Sequence, residues 1–193
     1  QFEESELVSR YGSIGHRLAS FARGIDDRRV EPDAPTKSVS AETTFERDLA
    51  TQDELAAELW PLCERVAHRL RDNEFSGRTV TLKLKTSEFR IITRSITLPA
   101  PTQLAEMLYR AVLPLLEREA DGRKFRLIGV GIAELGDAAE ADPTSLFDPQ
   151  ARQIAEVEHA IEAVRAKLGD TAIGKGRGLF AGALPPRKPK PTD

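Results

Sequence analysis

Residues 78–99 read RTVTLKLKTS, then EF, then RIITRSITLP: two alternating runs with only two residues between them. A period of two buries one face only if the chain is a strand, and so short a gap leaves room for little but a hairpin. In the first run Val80, Leu82 and Leu84 point one way, and Thr79, Thr81, Lys83 and Lys85 the other. In the second, Thr93, Ser95 and Thr97 oppose Ile92, Arg94 and Ile96. A hairpin with one apolar face needs a further layer to cover that face.

The flanking segments supply it. The stretch KSVSAETTFERDL, residues 37–49, begins with a strand in which Val39, Ala41, Thr43 and Phe45 alternate with Ser38, Ser40, Glu42 and Thr44. Thr51 followed by Glu54 makes a capping box, and the helix it opens carries Leu55, Leu59, Leu62, Val66 and Leu70 on one stripe. A second helix, from about Thr102, presents Leu104, Leu108, Ala111 and Leu115. RLIGVGIAEL closes the set as a strand with Ile128, Val130 and Ile132 on one side. The order β-α-β-β-α-β predicts an α+β module, a four-stranded antiparallel sheet with both helices on one face. Pro61 and Pro114 fall inside the two helical patterns, where each should kink its helix over the sheet. Their similar placement hints at two related halves.

Five parts follow along the chain. Residues 1–30 hold one or two short helices around Leu7, Val8, Ile14, Leu18 and Phe21, interrupted by YGSIG, with no evident core of their own. Residues 31–36, EPDAPT, read as an extended tether. The α+β module spans 37–136. Residues 137–148 are acidic, with one apolar island at Leu146 and Phe147. Residues 149–193 comprise a helix over 149–168, with Ile154, Val157, Ile161, Val164 and Leu168 at heptad-like spacing, and a Gly-, Pro- and Lys-rich tail unable to pack a core.

At 193 residues, with no apolar run long enough for a membrane span and no export-type start, the sequence reads as that of a cytoplasmic protein without a membrane partner. Its one cysteine, Cys63, lies on an apolar helical stripe and reads as a core residue. His16, His68 and His159 sit in separate segments without a second metal ligand at a suitable spacing, GKGRG lacks the flanking strand and helix of a phosphate loop, and no nucleophile stands near a base. No catalytic residue, cofactor or metal site is expected in this stretch. The net charge of −3 is a poor guide to partners, because the acids gather in ERDLATQDELAAE and ELGDAAEAD. The bases gather in the hairpin, in GRKFR and at the C-terminal end.

If both helices cover one face, the other displays Ser38, Ser40 and Thr44, then Thr79, Thr81, Lys83 and Lys85, then Thr93, Ser95 and Thr97. Short hydroxyls allow a phosphate backbone close to the main chain while lysines attract it. A water-exposed antiparallel face carries the same residue types, and a protein-interaction or oligomerisation module of the same fold is the alternative. No aromatic residue on this face offers base stacking.

Further identity comes from likeness. RYGSIGHRLASFARGIDDRRV is similar to the end of the thumb in the bacterial DNA polymerase IV family, translesion polymerases of the Y family. KSVSAETTFERDL resembles the opening of that family's little finger domain, VTLKLKTSEFRIITRSITLP its central hairpin, and GRKFRLIGVGIAEL its last strand. The resemblance covers about residues 9–135. It implies a domain lying along primer–template DNA in the major groove, with Lys37, Ser38, Ser40 and Thr43 on the first-strand motif and Thr93, Arg94 and Ser95 on the template-contacting strand. Arg94 shares parity with Ile92 and Ile96, so it needs a bulge or a rim position to reach DNA. The resemblance further implies magnesium-dependent synthesis by palm carboxylates of the parent polymerase. Those residues are not matched here, so this stretch alone should bind DNA without extending a primer. It also implies a sliding-clamp peptide, with Ser145, Leu146 and Phe147 matching and the usual glutamine absent. RGLFAG, at Leu179 and Phe180, is a second candidate.

Overall fold

A computed structural model describes residues 2–143, 149–169 and 172–176. The chain divides into two units, Gln1–Pro35 and Thr36–Asp193. The first is a helical hairpin of α1 (Glu4–Tyr11) and α2 (Ile14–Ala22). Gly12 turns the chain at φ +63°, and Gly15 lies so close to the other helix that a Cβ would sit 2.4 Å from the Leu7 backbone. Glu4 ties the pair, with His16 Nδ1 at 2.8 Å and Arg23 at 3.4 Å.

The second unit runs β1 (Ser38–Leu49), α3 (Gln52–Asp72), β2 (Phe75–Thr86), β3 (Ile91–Thr102), α4 (Ala105–Glu119), β4 (Phe125–Ala133), β5 (Gly136–Asp137) and α5 (Pro149–Leu168). The four long strands form the expected antiparallel sheet in the order β1-β4-β2-β3, and the two-residue β5 adds a fifth strand beside the start of β2. β4, last of the long strands in the chain, is therefore central. β1 and β3 are the edges, and the Arg69 guanidinium donates to the Ser40 carbonyl of β1.

The capping box forms as expected: Thr51 Oγ1 accepts from Glu54 N at 3.3 Å while Glu54 Oε2 lies 3.4 Å from Thr51 N. From α3, Leu55, Leu59, Leu62, Val66 and Leu70 are fully buried against Val80, Leu82, Leu84, Ile128, Val130 and Ile132. α4 adds Leu108, Val112 and Leu116, and Trp60 meets Tyr109 edge-to-face with ring centroids 5.5 Å apart. Both Pro61 and Pro114 sit within continuous helices. Cys63 is fully buried, and burial pushes its thiol well above the ordinary range, as befits a core residue rather than a reactive one.

α4 begins three residues later than the sequence pattern suggests, because Thr102 belongs to β3 and its hydroxyl accepts from Leu104 N at 3.0 Å. The buried stripe shifts with it: Leu115 is only partly buried, and Val112 and Leu116 take the deepest places. Asp142 anchors the same corner, accepting from Thr102 Oγ1 at 2.5 Å and Gln103 N at 3.0 Å. Burial raises its pKa despite those bonds.

Leu104 at the N-cap of α4 offers no side-chain acceptor. The acceptor comes instead from α5. Glu158, only 6% exposed, accepts from Ala105 N and Glu106 N at 2.8 Å each, which satisfies two of the helix's orphan donors and places a negative charge at its positive end. Around it Glu162 meets His68 at 2.8 Å and Arg71 at 3.2 Å, Arg165 meets Glu64 at 2.9 Å, and Lys175 lies 3.2 Å from Glu106 and 4.8 Å from the Trp60 ring centre. The heptad-like spacing of α5 does not decide what the helix packs on. Within the chain it lies on α3 and the start of α4, held by these ion pairs and by the Glu158 cap. Glu158→Ala is expected to leave two buried donors unanswered at a cost of about 1–3 kcal/mol. Thermal melts and faster hydrogen exchange at the Ala105 and Glu106 amides measure it, and unchanged exchange would deny the cap.

Candidate nucleic-acid interface

The sheet's second face carries no helix of its own unit among the described residues. Its register makes a grid of four rows, each crossing β1, β4, β2 and β3: Ser38–Ala133–Thr79–Thr97, then Ser40–Gly131–Thr81–Ser95, then Glu42–Gly129–Lys83–Thr93, then Thr44–Leu127–Lys85–Ile91. The central strand contributes almost no side-chain bulk to the first three rows. A shallow groove of about 370 Å³ results, floored by Gly129 and Gly131 and walled by Ser38, Ser40, Glu42, Thr81, Lys83 and Thr93. The glycines are required by their neighbours on β1: a Cβ at Gly129 would sit 2.9 Å from Glu42 Cβ, and one at Gly131 would sit 3.1 Å from Ser40 Cβ.

The hydroxyls are partly used among themselves. Thr79 Oγ1 pairs with Thr97 Oγ1 at 2.9 Å and Thr81 Oγ1 with Ser95 Oγ at 2.8 Å, cross-strand pairs that fix both rotamers while leaving spare lone pairs. Lys83 reaches over Gly129 to Glu42, Nζ to Oε2 at 2.7 Å, a span open only because the residue between them has no side chain. The groove centre is therefore near neutral. Lys85 has no carboxylate partner among the described residues, and its ammonium lies 4.9 Å from the Phe89 ring centre.

The structure brings Ser38, Ser40, Thr79, Thr81, Lys83, Lys85, Thr93, Ser95 and Thr97 onto this one face, with Lys37 exposed just before β1. Two residues fall elsewhere. Thr43 pairs in register with the buried Ile128 and is itself half-buried, on the side that the helices cover, as its place in the alternation dictates. Arg94 stands opposite Leu82 on that same side, and no bulge turns it, since the register runs unbroken from Thr97 to Ile91. It occupies a rim, half-exposed on edge strand β3, where Glu119 at the end of α4 holds its guanidinium at 2.8 Å. Ser145, Leu146, Phe147, Leu179 and Phe180 lie outside the described residues.

The bulge comes in β4. Lys85 pairs with Leu127 and Thr86 with Phe125, which leaves Arg126 without a partner between them. Its guanidinium carbon lies 4.1 Å from the Phe89 ring centre. Arg126 and Glu42 are parts of this surface that the sequence reading did not single out as binding residues. Glu42 was readable from its alternation with Ser38 and Ser40. Arg126 was not, because a bulge leaves no mark in a period-two pattern. Among the described residues no three His, Cys, Asp or Glu side chains gather to hold a metal ion, and no helix is long and apolar enough to cross a membrane.

Residues 36–146 match the profile described as the impB/mucB/samB family C-terminal domain. The chain is 48% identical over 174 residues to DNA polymerase IV 1 of Mesorhizobium japonicum, covering 90% of this chain and 40% of that protein. It is 46% identical over 191 residues to DNA polymerase IV of Brucella melitensis, covering 99% and 43%. It is 45% identical over 173 residues to DNA polymerase IV of Caulobacter vibrioides, covering 90% and 43%. The chain thus spans about two fifths of the length of these relatives. Replacing Gly129 by Val, which forces bulk against β1, is expected to lower stability by about 1–3 kcal/mol. Denaturant unfolding reads the change, and an unaltered midpoint would show that β1 gives way without cost.

Proposed function

Since the chain belongs to the impB/mucB/samB family through its C-terminal domain, we propose that it is the DNA-gripping and clamp-tethering region of a translesion DNA polymerase. The observation that carries this reading is the sheet face that the helices of its own unit leave open, where hydroxyls line a glycine-floored groove with cations at both ends. A duplex backbone needs such a surface. Small side chains permit close approach, hydroxyls donate to phosphate oxygens, and Lys37, Lys85 and Arg126 supply long-range attraction. None of these contacts reads a base, so binding is indifferent to sequence, as synthesis on any template requires. Primer extension past lesions belongs to the proposed parent enzyme, whose magnesium ions need carboxylates of a palm domain. This chain's share of the work is to hold the primer–template.

Each cation contributes according to what already neutralises it. Removing Lys85 or Arg126 by substitution with Ala is expected to lower the slope of log affinity against log salt by about 1. Lys83→Ala should change it less, because Glu42 already answers that charge, and Glu42→Gln should steepen it. Fluorescence anisotropy with a primer–template duplex across a salt series measures all four. Equal slopes throughout, or a dimer in gel filtration that ignores DNA, would favour a protein-interaction module.

The sliding clamp is the second proposed partner, through Ser145, Leu146 and Phe147. Burying Leu146 and Phe147 in a partner's pocket contributes roughly 3–6 kcal/mol gross. Ordering the peptide takes back part of that, leaving affinity of about micromolar order. The double replacement Leu146→Ala, Phe147→Ala is expected to abolish binding to the clamp of the same species in surface plasmon resonance. Unchanged binding would move the contact to Leu179 and Phe180.

A further inference from the structure

We propose that Phe89, flanked by Lys85 and Arg126, is a stacking platform for an unpaired nucleobase, so that the hairpin tip binds single-stranded DNA beside the duplex groove. The proposal rests on the duplex-binding reading above and adds a site with a different ligand.

Phe89 sits at the tip of the β2–β3 hairpin, in a turn closed by Thr86 N to Arg90 O at 2.9 Å and Phe89 N to Thr86 O at 2.9 Å. Its φ is +67°, a conformation that glycine or asparagine adopts readily and phenylalanine rarely does. The ring is nonetheless 61% exposed, and Ile91 beside it on the last row of the grid is 59% exposed. A bulky apolar residue placed in the left-handed region and left open to water gains nothing from burial. Local strain combined with exposure is the pattern of a contact surface.

The surrounding charge identifies the partner. Several other cations on this part of the domain are spoken for: Lys83 by Glu42, Arg94 by Glu119, Arg90 by Glu88, and Arg123 by Asp121 and Glu119. Lys85 and Arg126 have no carboxylate partner among the described residues, and both converge on the Phe89 ring, at 4.9 and 4.1 Å. The β4 bulge delivers one of them. An exposed aromatic ring approached by two unneutralised cations suits a flat, uncharged group joined to anions on either side, which is a nucleotide within a strand. A paired base keeps both faces inside its stack, so only an unpaired one can use the ring. Stacking of this kind is tolerant of sequence, as is the groove.

The test compares a blunt duplex with the same duplex bearing a single-stranded template tail that contains 2-aminopurine. The full 193-residue chain is expected to bind the tailed DNA more tightly and to change the 2-aminopurine fluorescence. Phe89→Asn, which suits the left-handed backbone, should lose about tenfold on tailed DNA, abolish the fluorescence change and leave blunt-duplex affinity within about twofold. Phe89→Tyr should behave as the original, and circular dichroism checks that both variants fold. If Phe89→Asn keeps the full preference for the tail, the platform is refuted while the duplex reading stands. If it weakens blunt and tailed DNA equally, Phe89 belongs to the duplex grip and the proposal falls. No binding of the unaltered chain to either DNA would remove the duplex reading together with the platform.

Discussion

Insertion of β4 between β1 and β2 is the constraint from which the rest of the domain follows. One face of that strand must be apolar enough to seat two helices, and Ile128, Val130 and Ile132 meet the requirement. The other must be small enough to let β1 close up, and Gly129 and Gly131 meet that. The same alternation therefore builds the core on one side and the groove on the other. Stability and the candidate interface are not separate parts of the molecule but two sides of one nine-residue strand.

The charges on the open face are arranged as pairs and exceptions. Glu42 neutralises Lys83 at the middle of the groove, and Glu119 draws Arg94 toward the end of α4. Among the described residues, Lys37 before the first row keeps no carboxylate partner, nor do Lys85 and Arg126 at the hairpin end, where they approach the exposed Phe89. A chain of negative formal charge thus keeps a local positive field where its sheet face ends. Four of the acids are occupied elsewhere: Glu64, Glu106, Glu158 and Glu162 bind cations between α3, α4 and α5.

Much of this architecture was legible because it is encoded locally. The hairpin, the capping box at Thr51 and the apolar stripes of α3 and β4 each follow from spacing within about twenty residues. The ten hydroxyl and lysine positions that share the open face follow from parity alone. What escaped depends on distant partners. Arg94 has the parity of a helix-side residue, yet its place is decided by Glu119, twenty-five positions away. α5 reads as a heptad seam but is seated by Glu158 at the start of α4 and by Glu162 against His68 and Arg71. The β4 bulge arises because both neighbours fix the register on either side of Arg126, which no single strand reveals.

The contact of Arg69 with the Ser40 carbonyl has a consequence for how copies of the domain behave toward one another. β1 is twelve residues long and lies at the margin of the sheet, where its outward carbonyls and amides could template a strand from another molecule. A guanidinium from α3 seated on one of those carbonyls blocks that approach. Charged Glu46, Arg47 and Asp48 further along the same margin make a flush fit costlier still. The packing of α3 thereby also closes part of the sheet's open margin to a further strand.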